Sequence, residues 1–139
     1  MVQQYIGASI TRKEDERFLT GRATFADDVK LPGMLHATFM RSPHAHAKIK
    51  SIDVSKALAY PGVKAVITGQ DMPITKMESP GRTARFASDN VMAREKALYK
   101  GHPVAAVAAV NAHVAESAAS LINVEYEVLP PLMTVQQAM

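Results

Sequence analysis

The sequence predicts a mixed α/β domain of the α+β kind, with strands and short helices around a mixed sheet. Three observations predict it. Residues 34–70 and 97–130 each read as strand, helix, strand; the segment NVEYEV alternates apolar and polar residues as a half-buried strand does; and helix caps and Pro–Gly turns fall at the joints. With 139 residues, 47% apolar and 21% charged, the chain is sized for a single domain over residues 1–139 with its own core. The same composition excludes wholesale disorder and collagen-like chains.

Residues 1–33 read as an N-terminal extension. Thr11 and Glu14 have the spacing of a reciprocal capping box that would open a short helix, and Gly21 would close it. Asp27 and Asp28 precede Leu31-Pro32-Gly33, a turn in which proline presets one dihedral and glycine permits the next. Leu35, Ala37 and Phe39 then alternate with His36, Thr38 and Met40, the period of a strand, until Ser42-Pro43 interrupts it. A second extended piece runs through Ile49 and Ile52. Asp53 is placed to cap the helix VSKALAY, Pro61-Gly62 ends it, and VKAVIT resumes as strand from Val63.

Residues 71–96 form a long connecting loop, in which MESPGRTARFASDN carries turn formers without periodicity. The run VAAVAAV at residues 104–110 fits a strand buried on both faces, since Gly101-His102-Pro103 precedes it and Asn111 breaks it. Asn111 is a cap for a helix with Val114, Ala115, Ala118, Ala119 and Ile122 on one face, and NVEYEV follows with Val124, Tyr126 and Val128 inward. Thr134 and Gln137 repeat the capping-box spacing, so residues 131–139 hold the start of a helix. A helix that short does not form alone, so a continuation or a second chain is expected to complete it.

The longest apolar run is far below the roughly 18 residues of a membrane span, and the N-terminus has no secretory apolar stretch. The protein is therefore expected to be soluble and cytoplasmic. Zero cysteines exclude disulfides, thiolate metal sites and thiol nucleophiles within this chain. The net charge of +3 arises from 16 basic and 13 acidic residues with interspersed signs, which does not make the basic stripe of a nucleic-acid module.

Candidate chemistry is sparse. His44 and His46, two apart, would point both rings to one face of an extended strand, but two ligands are too few for a tetrahedral site and His36, His102 and His113 lie far off. Asp27 and Asp28 diverge if extended and suit capping better than a shared proton. The seven glycines are dispersed singly, without a phosphate cradle, and no serine sits in a nucleophile elbow. No catalytic, cofactor-binding or metal-ligating residue is assigned. A stand-alone histidine-based metal-binding protein and a basic nucleic-acid-binding module remain as the alternative classes.

The motifs taken together have a closer parallel. Arg12, Glu14-Asp15, Phe18, Thr20-Gly21, Asp27-Asp28, the stretch from LPGMLHATFMRSPHAHAKIK to YPGVKAVITGQDM, LYKGHPVAAVAAV and VEYEVLPPL resemble the start of the molybdenum-binding large subunit of the xanthine dehydrogenase and aldehyde oxidase family. The resemblance implies the α/β hammerhead fold. It covers nearly the whole chain, residues 74–90 being the least similar. It also implies a part of an oxidoreductase that hydroxylates aldehydes or N-heterocycles, or oxidises carbon monoxide, with a molybdenum pterin cofactor. Electrons then pass through iron–sulfur clusters to FAD on partner subunits or domains. The family's cofactor loops and general-base glutamate lie in later domains, so none of its catalytic residues maps here. This chain is expected to bind no cofactor itself and to be inactive alone, with the remaining large-subunit domains, the iron–sulfur subunit and the FAD subunit as partners in a multi-subunit complex. The family usually has glutamine where this sequence has His102. Arg41, Ser42, Pro43, His44 and His46, with Gly101, His102 and Pro103, are expected to face the rest of the enzyme, because they join turn-forming backbone to exposed polar groups.

Overall fold

Six strands, all paired antiparallel, make two three-stranded sheets among the described residues of this computed structural model, which are Gly7, 9–73 and 90–139. The expectations for residues 74–89, the middle of the long loop, lie outside them. In chain order the elements are α1 (Asp15–Leu19), β1 (His36–Arg41), β2 (Ala47–Asp53), α2 (Ser55–Leu58), β3 (Val63–Thr68), β4 (Lys96–Ala97), β5 (Pro103–Ala109), α3 (Ala112–Ala119), β6 (Asn123–Val128) and α4 (Val135–Ala138). The first sheet runs β1–β5–β3 and the second β4–β2–β6. The chain divides into two units, Met1–Met34 and Leu35–Met139.

The mixed sheet expected from the two strand–helix–strand segments is thus replaced by two antiparallel ones. Two helices carry the chain from one sheet to the other, α2 from β2 to β3 and α3 from β5 to β6. A parallel pair takes a crossover of about a dozen residues or more, and residues 54–62 are too few to return β3 beside β2.

In the first unit, the Thr11 capping box does not form. Asp15 does the work instead, its carboxylate accepting from the Arg12 backbone N–H at 3.2 Å and from Arg12 Nε at 3.0 Å. Gly21 closes α1 as expected, with Gly21 N–H on the Phe18 carbonyl and Arg22 N–H on that of Arg17. Asp28 accepts from Phe25 N–H at 2.9 Å, the loop-capping role its type suggests. At Leu31-Pro32-Gly33 the chain reverses through Met34 N–H on the Leu31 carbonyl, with Gly33 at φ +76°, a conformation that other residues rarely adopt.

The core of the second unit lies between the first sheet and its helices, with α3 across β1 and β5 and α2 against β3 and α3. Ala57, Ala105, Val107, Ala118, Ala119 and Ile122 are buried there, with Met40, Val63 and Val66 packed on them. Asn111 Oδ1 accepts from Val114 N–H at 2.8 Å and so starts α3 where expected. Strand β1 turns the opposite face inward from Leu35 and Phe39: Met40 meets the core while Phe39 is 47% exposed. Strand β6 matches NVEYEV residue for residue, but its last inward position, Val128, is 63% exposed because the strand runs beyond the core.

Two tight contacts lock the second unit's edges. The turn after β3 brings Gly69 against residues 93–94, where an added Cβ would lie 2.3 Å from the Ala93 carbonyl oxygen. Beside it Arg94 Nη2 donates to the carbonyls of Met72 (2.6 Å) and Pro73 (3.1 Å). Gly69→Ala should therefore cost about 2–3 kcal/mol, read as a lowered urea midpoint, because the obstructing atom is backbone and cannot rotate away.

Two carboxylates accept hydrogen bonds best when charged. Asp53 is held below the ordinary carboxylate range by the Ser55 hydroxyl (2.6 Å) and then its N–H (3.0 Å), and Asp71 by Thr68 N–H (2.7 Å) and then its hydroxyl (2.8 Å). A depressed folded pKa contributes stability above the unfolded value near about 4, and that contribution is lost as pH falls through the folded value. The melting temperature should drop below about pH 4, and the pair Asp53→Asn with Asp71→Asn should flatten that slope. An unchanged slope in the double variant would assign acid sensitivity elsewhere.

Candidate partner interface

The eight residues singled out in the sequence come from two turns far apart in the chain, and the fold ties them together. Strand β1 ends with a register shift at Arg41, which pairs with Pro103 at the start of β5. From there Ser42 N–H donates to the His102 carbonyl at 2.9 Å, Gly101 N–H to the Ser42 carbonyl at 2.9 Å, and Arg41 Nη1 to the Gly101 carbonyl at 3.0 Å. The RSP and GHP turns are therefore one structural edge.

They do not all face outward. Arg41 and Pro43 are exposed and His44, His46, Gly101 and Pro103 partly so, but Ser42 is 2% and His102 0% exposed. The expectation of exposed polar groups fails at these two because both are consumed internally. Ser42 Oγ donates to the His44 carbonyl and accepts from His44 N–H, each at 3.1 Å, closing a tight turn on itself.

His102 is a fastener. Its Nδ1 accepts from Leu98 N–H at 3.2 Å and its Nε2 reaches the Asn90 carbonyl at 2.9 Å; a carbonyl only accepts, so Nε2 carries the proton. The ring stacks on Tyr99 with centroids 4.5 Å apart. One side chain thus secures the segment between residues 90 and 98 to the start of β5. A glutamine amide would offer the same acceptor and donor pair.

His44 and His46 lie in a turn before β2 and not on a strand, so the expectation of two rings on one strand face does not hold. Ser42-Pro43 breaks the extended backbone that such sharing requires. His44 meets the Tyr126 ring edge-on at 5.0 Å, while His46 Nδ1 donates to the Pro130 carbonyl at 3.0 Å. The Tyr126 hydroxyl is buried beside the Ser42 hydroxyl. Burial pushes its pKa up, with Ser42 pulling the other way.

Beside His46 opens a shallow cleft of about 370 Å³ with Tyr99, Lys100, Leu132 and Met133 on its walls. Tyr99, Leu132 and Met133 were not apparent as site residues, because their apolar surface becomes significant only where the fold leaves it exposed. Among the described residues no group of three His, Cys, Asp or Glu side chains converges.

His102→Gln should keep stability within about 1 kcal/mol, whereas His102→Ala removes the acceptor for Leu98 N–H, the donor for Asn90 and the Tyr99 stack together. It should cost about 2–4 kcal/mol, measured by urea unfolding. Equal losses in the two variants would refute the fastener role.

Comparison with known proteins agrees with this architecture. The sequence profile described as "Aldehyde oxidase and xanthine dehydrogenase, a/b hammerhead domain" matches residues 20–130. The chain is 47% identical to the carbon monoxide dehydrogenase large chain of Afipia carboxidovorans, over 98% of this chain and 17% of that one. It is 43% identical to the 6-hydroxypseudooxynicotine dehydrogenase complex subunit gamma of Paenarthrobacter nicotinovorans, over 99% of this chain and 18% of that one. The crystal structure of a Cu,Mo-CO dehydrogenase superposes with a TM-score of 0.79 at 42% identity, covering 96% of this chain and 17% of that chain. The chain thus spans about a sixth of the length of the relatives it matches. With the hammerhead profile over residues 20–130 and relatives 47% and 43% identical over nearly the whole chain, it belongs to the molybdenum hydroxylase family of aldehyde oxidase, xanthine dehydrogenase and carbon monoxide dehydrogenase.

Proposed function

We propose that this chain serves as the hammerhead lobe of a molybdenum-dependent hydroxylase large subunit, a structural and docking part of an oxidoreductase complex that performs no turnover by itself. The observation that carries the reading is the edge formed by Arg41–Ser42 and Gly101–Pro103, in which buried fasteners lie beneath exposed turns. Arg41, Pro43, His44, His46, Gly101 and Pro103 present this edge to the rest of the large subunit, while Ser42 and His102 hold its shape. Support comes from relatives about six times longer, one a dehydrogenase complex subunit and another a Cu,Mo-CO dehydrogenase.

The molybdenum pterin cofactor is assigned to polypeptide outside these residues. The cleft at His46 does not fit it, being shallow and walled largely by apolar side chains, and no glycine-rich turn in the sequence offers clustered N–H donors. Electron transfer through an iron–sulfur subunit and an FAD subunit completes the assignment, in a cytoplasmic complex. No helix among the described residues is long and apolar enough to cross a membrane.

A direct test is substitution. Placed in the Afipia carboxidovorans carbon monoxide dehydrogenase large chain instead of the matching segment, this sequence should give an assembled, molybdenum-containing enzyme that oxidises carbon monoxide. The 139-residue chain purified alone should show neither metal nor turnover. A chimera that folds but never assembles would defeat the reading, as would an isolated chain that retains the cofactor.

A further inference from the structure

The two sheets differ in what they show on the side away from their packed faces. In the second sheet the outward register rows are polar: Lys48 opposite Glu127, Ser51 opposite Glu125 and Asp53 opposite Asn123. This is the alternation of a sheet with one face in water. In the first sheet the core takes Met40, Ala105, Val107 and Val66, which leaves two outward rows, Phe39–Ala106–Ile67 and Ala37–Ala108–Ala65. Every member of those rows is apolar. Phe39 is 47% and Ile67 41% exposed, and Ala37 and Ala65 are exposed as well.

A central strand apolar on both faces belongs to a sheet covered on both faces. Strand β5 meets that description, yet among the described residues α3 packs against the core side while Phe39 and Ile67 on the other side remain exposed. The uncovered face has an alanine floor beside Phe39 and Ile67, a shape that admits close approach of another backbone. It is also continuous with the docking edge, since the Arg41 guanidinium lies over the Phe39 ring at 5.5 Å and bonds to Gly101.

We infer that the Phe39–Ala106–Ile67 face is a second docking surface, covered by apolar polypeptide of the same large subunit. The occupant follows from length and chemistry: this chain spans 17% of the carbon monoxide dehydrogenase large chain, so most of such a subunit lies outside it, and a face without charge in its rows fits an apolar segment. The inference rests on the proposed place of this chain in a large subunit.

The chain has no cysteine, which makes an introduced thiol a clean reporter within it. Ile67→Cys should react with a maleimide freely in the isolated chain and at least about tenfold more slowly in the assembled chimera, read by peptide mass mapping. Glu125→Cys, on the polar face of the second sheet, should react at similar rates in both. An active chimera in which the thiol at position 67 labels as fast as in the isolated chain overturns this inference and leaves the large-subunit assignment standing. Equal protection at both positions also overturns it, because the covering would not be specific to this face. A dimer of the isolated chain that Ile67→Asp dissociates would give the face to a second copy and overturn it too. A chimera that never assembles removes the assignment and the inference together.

Discussion

One strand, β5, constrains the second unit. It lies at the centre of the first sheet, and its side chains between Pro103 and Ala109 are short and apolar on both faces. Short side chains let α3 lie across it with Ala115, Ala118 and Ala119 buried, so the contact is close without large groups to fill it. A charged residue at Ala105 or Val107 would have to be desolvated in the core, which is why the run carries none. The strand also begins at Pro103, directly after His102, so the element that organises the core also sets the position of the proposed docking edge. Core packing and interface geometry are thus one problem in this chain.

Local chemistry is legible in the sequence wherever a few neighbouring residues decide the outcome. Asn111 caps α3, Leu31-Pro32-Gly33 turns, Thr134 and Gln137 close their capping box, and NVEYEV is a strand because each of these depends on residues within a few positions. At Thr11 the box does not form and Asp15 accepts from Arg12 instead, an alternative arrangement of the same local reach. What is not legible is non-local. Strand β4 has two residues and exists only because Ala47 and Lys48 lie opposite it. The inward face of β1 is decided by where α3 lands, so Met40 goes in and Phe39 out although alternation alone permits either.

The docking edge shows the same division. The turns at Ser42-Pro43 and Gly101-Pro103 are marked by residue type, but nothing in the spacing says that their backbones bond to one another across about sixty positions. Nor does residue type tell an exposed histidine from a fastening one. His102 is buried because Leu98 N–H and the Asn90 carbonyl arrive together as a donor and an acceptor, a pairing that only the folded loop supplies. Buried polar groups satisfied in this way select one arrangement of a loop over its competitors more than they add stability. For a chain whose proposed role is to present a fixed surface, that selection matters more than reactivity.

The contrast between the sheets extends this reasoning to orientation. Lysine opposite glutamate on the second sheet keeps that face solvated and resists burial by an apolar partner, since each charge would lose water without a compensating contact. The first sheet's alanine rows carry no such penalty. A lobe with one repelling and one accepting face can seat against a larger body in few orientations, so specificity in the proposed docking would arise as much from the face that refuses contact as from the one that takes it. The Arg41 guanidinium sits where the accepting face meets the turns, stacked on Phe39 and bonded to Gly101. It therefore links the sheet face and the turn edge, so the two surfaces would move as one when the lobe docks.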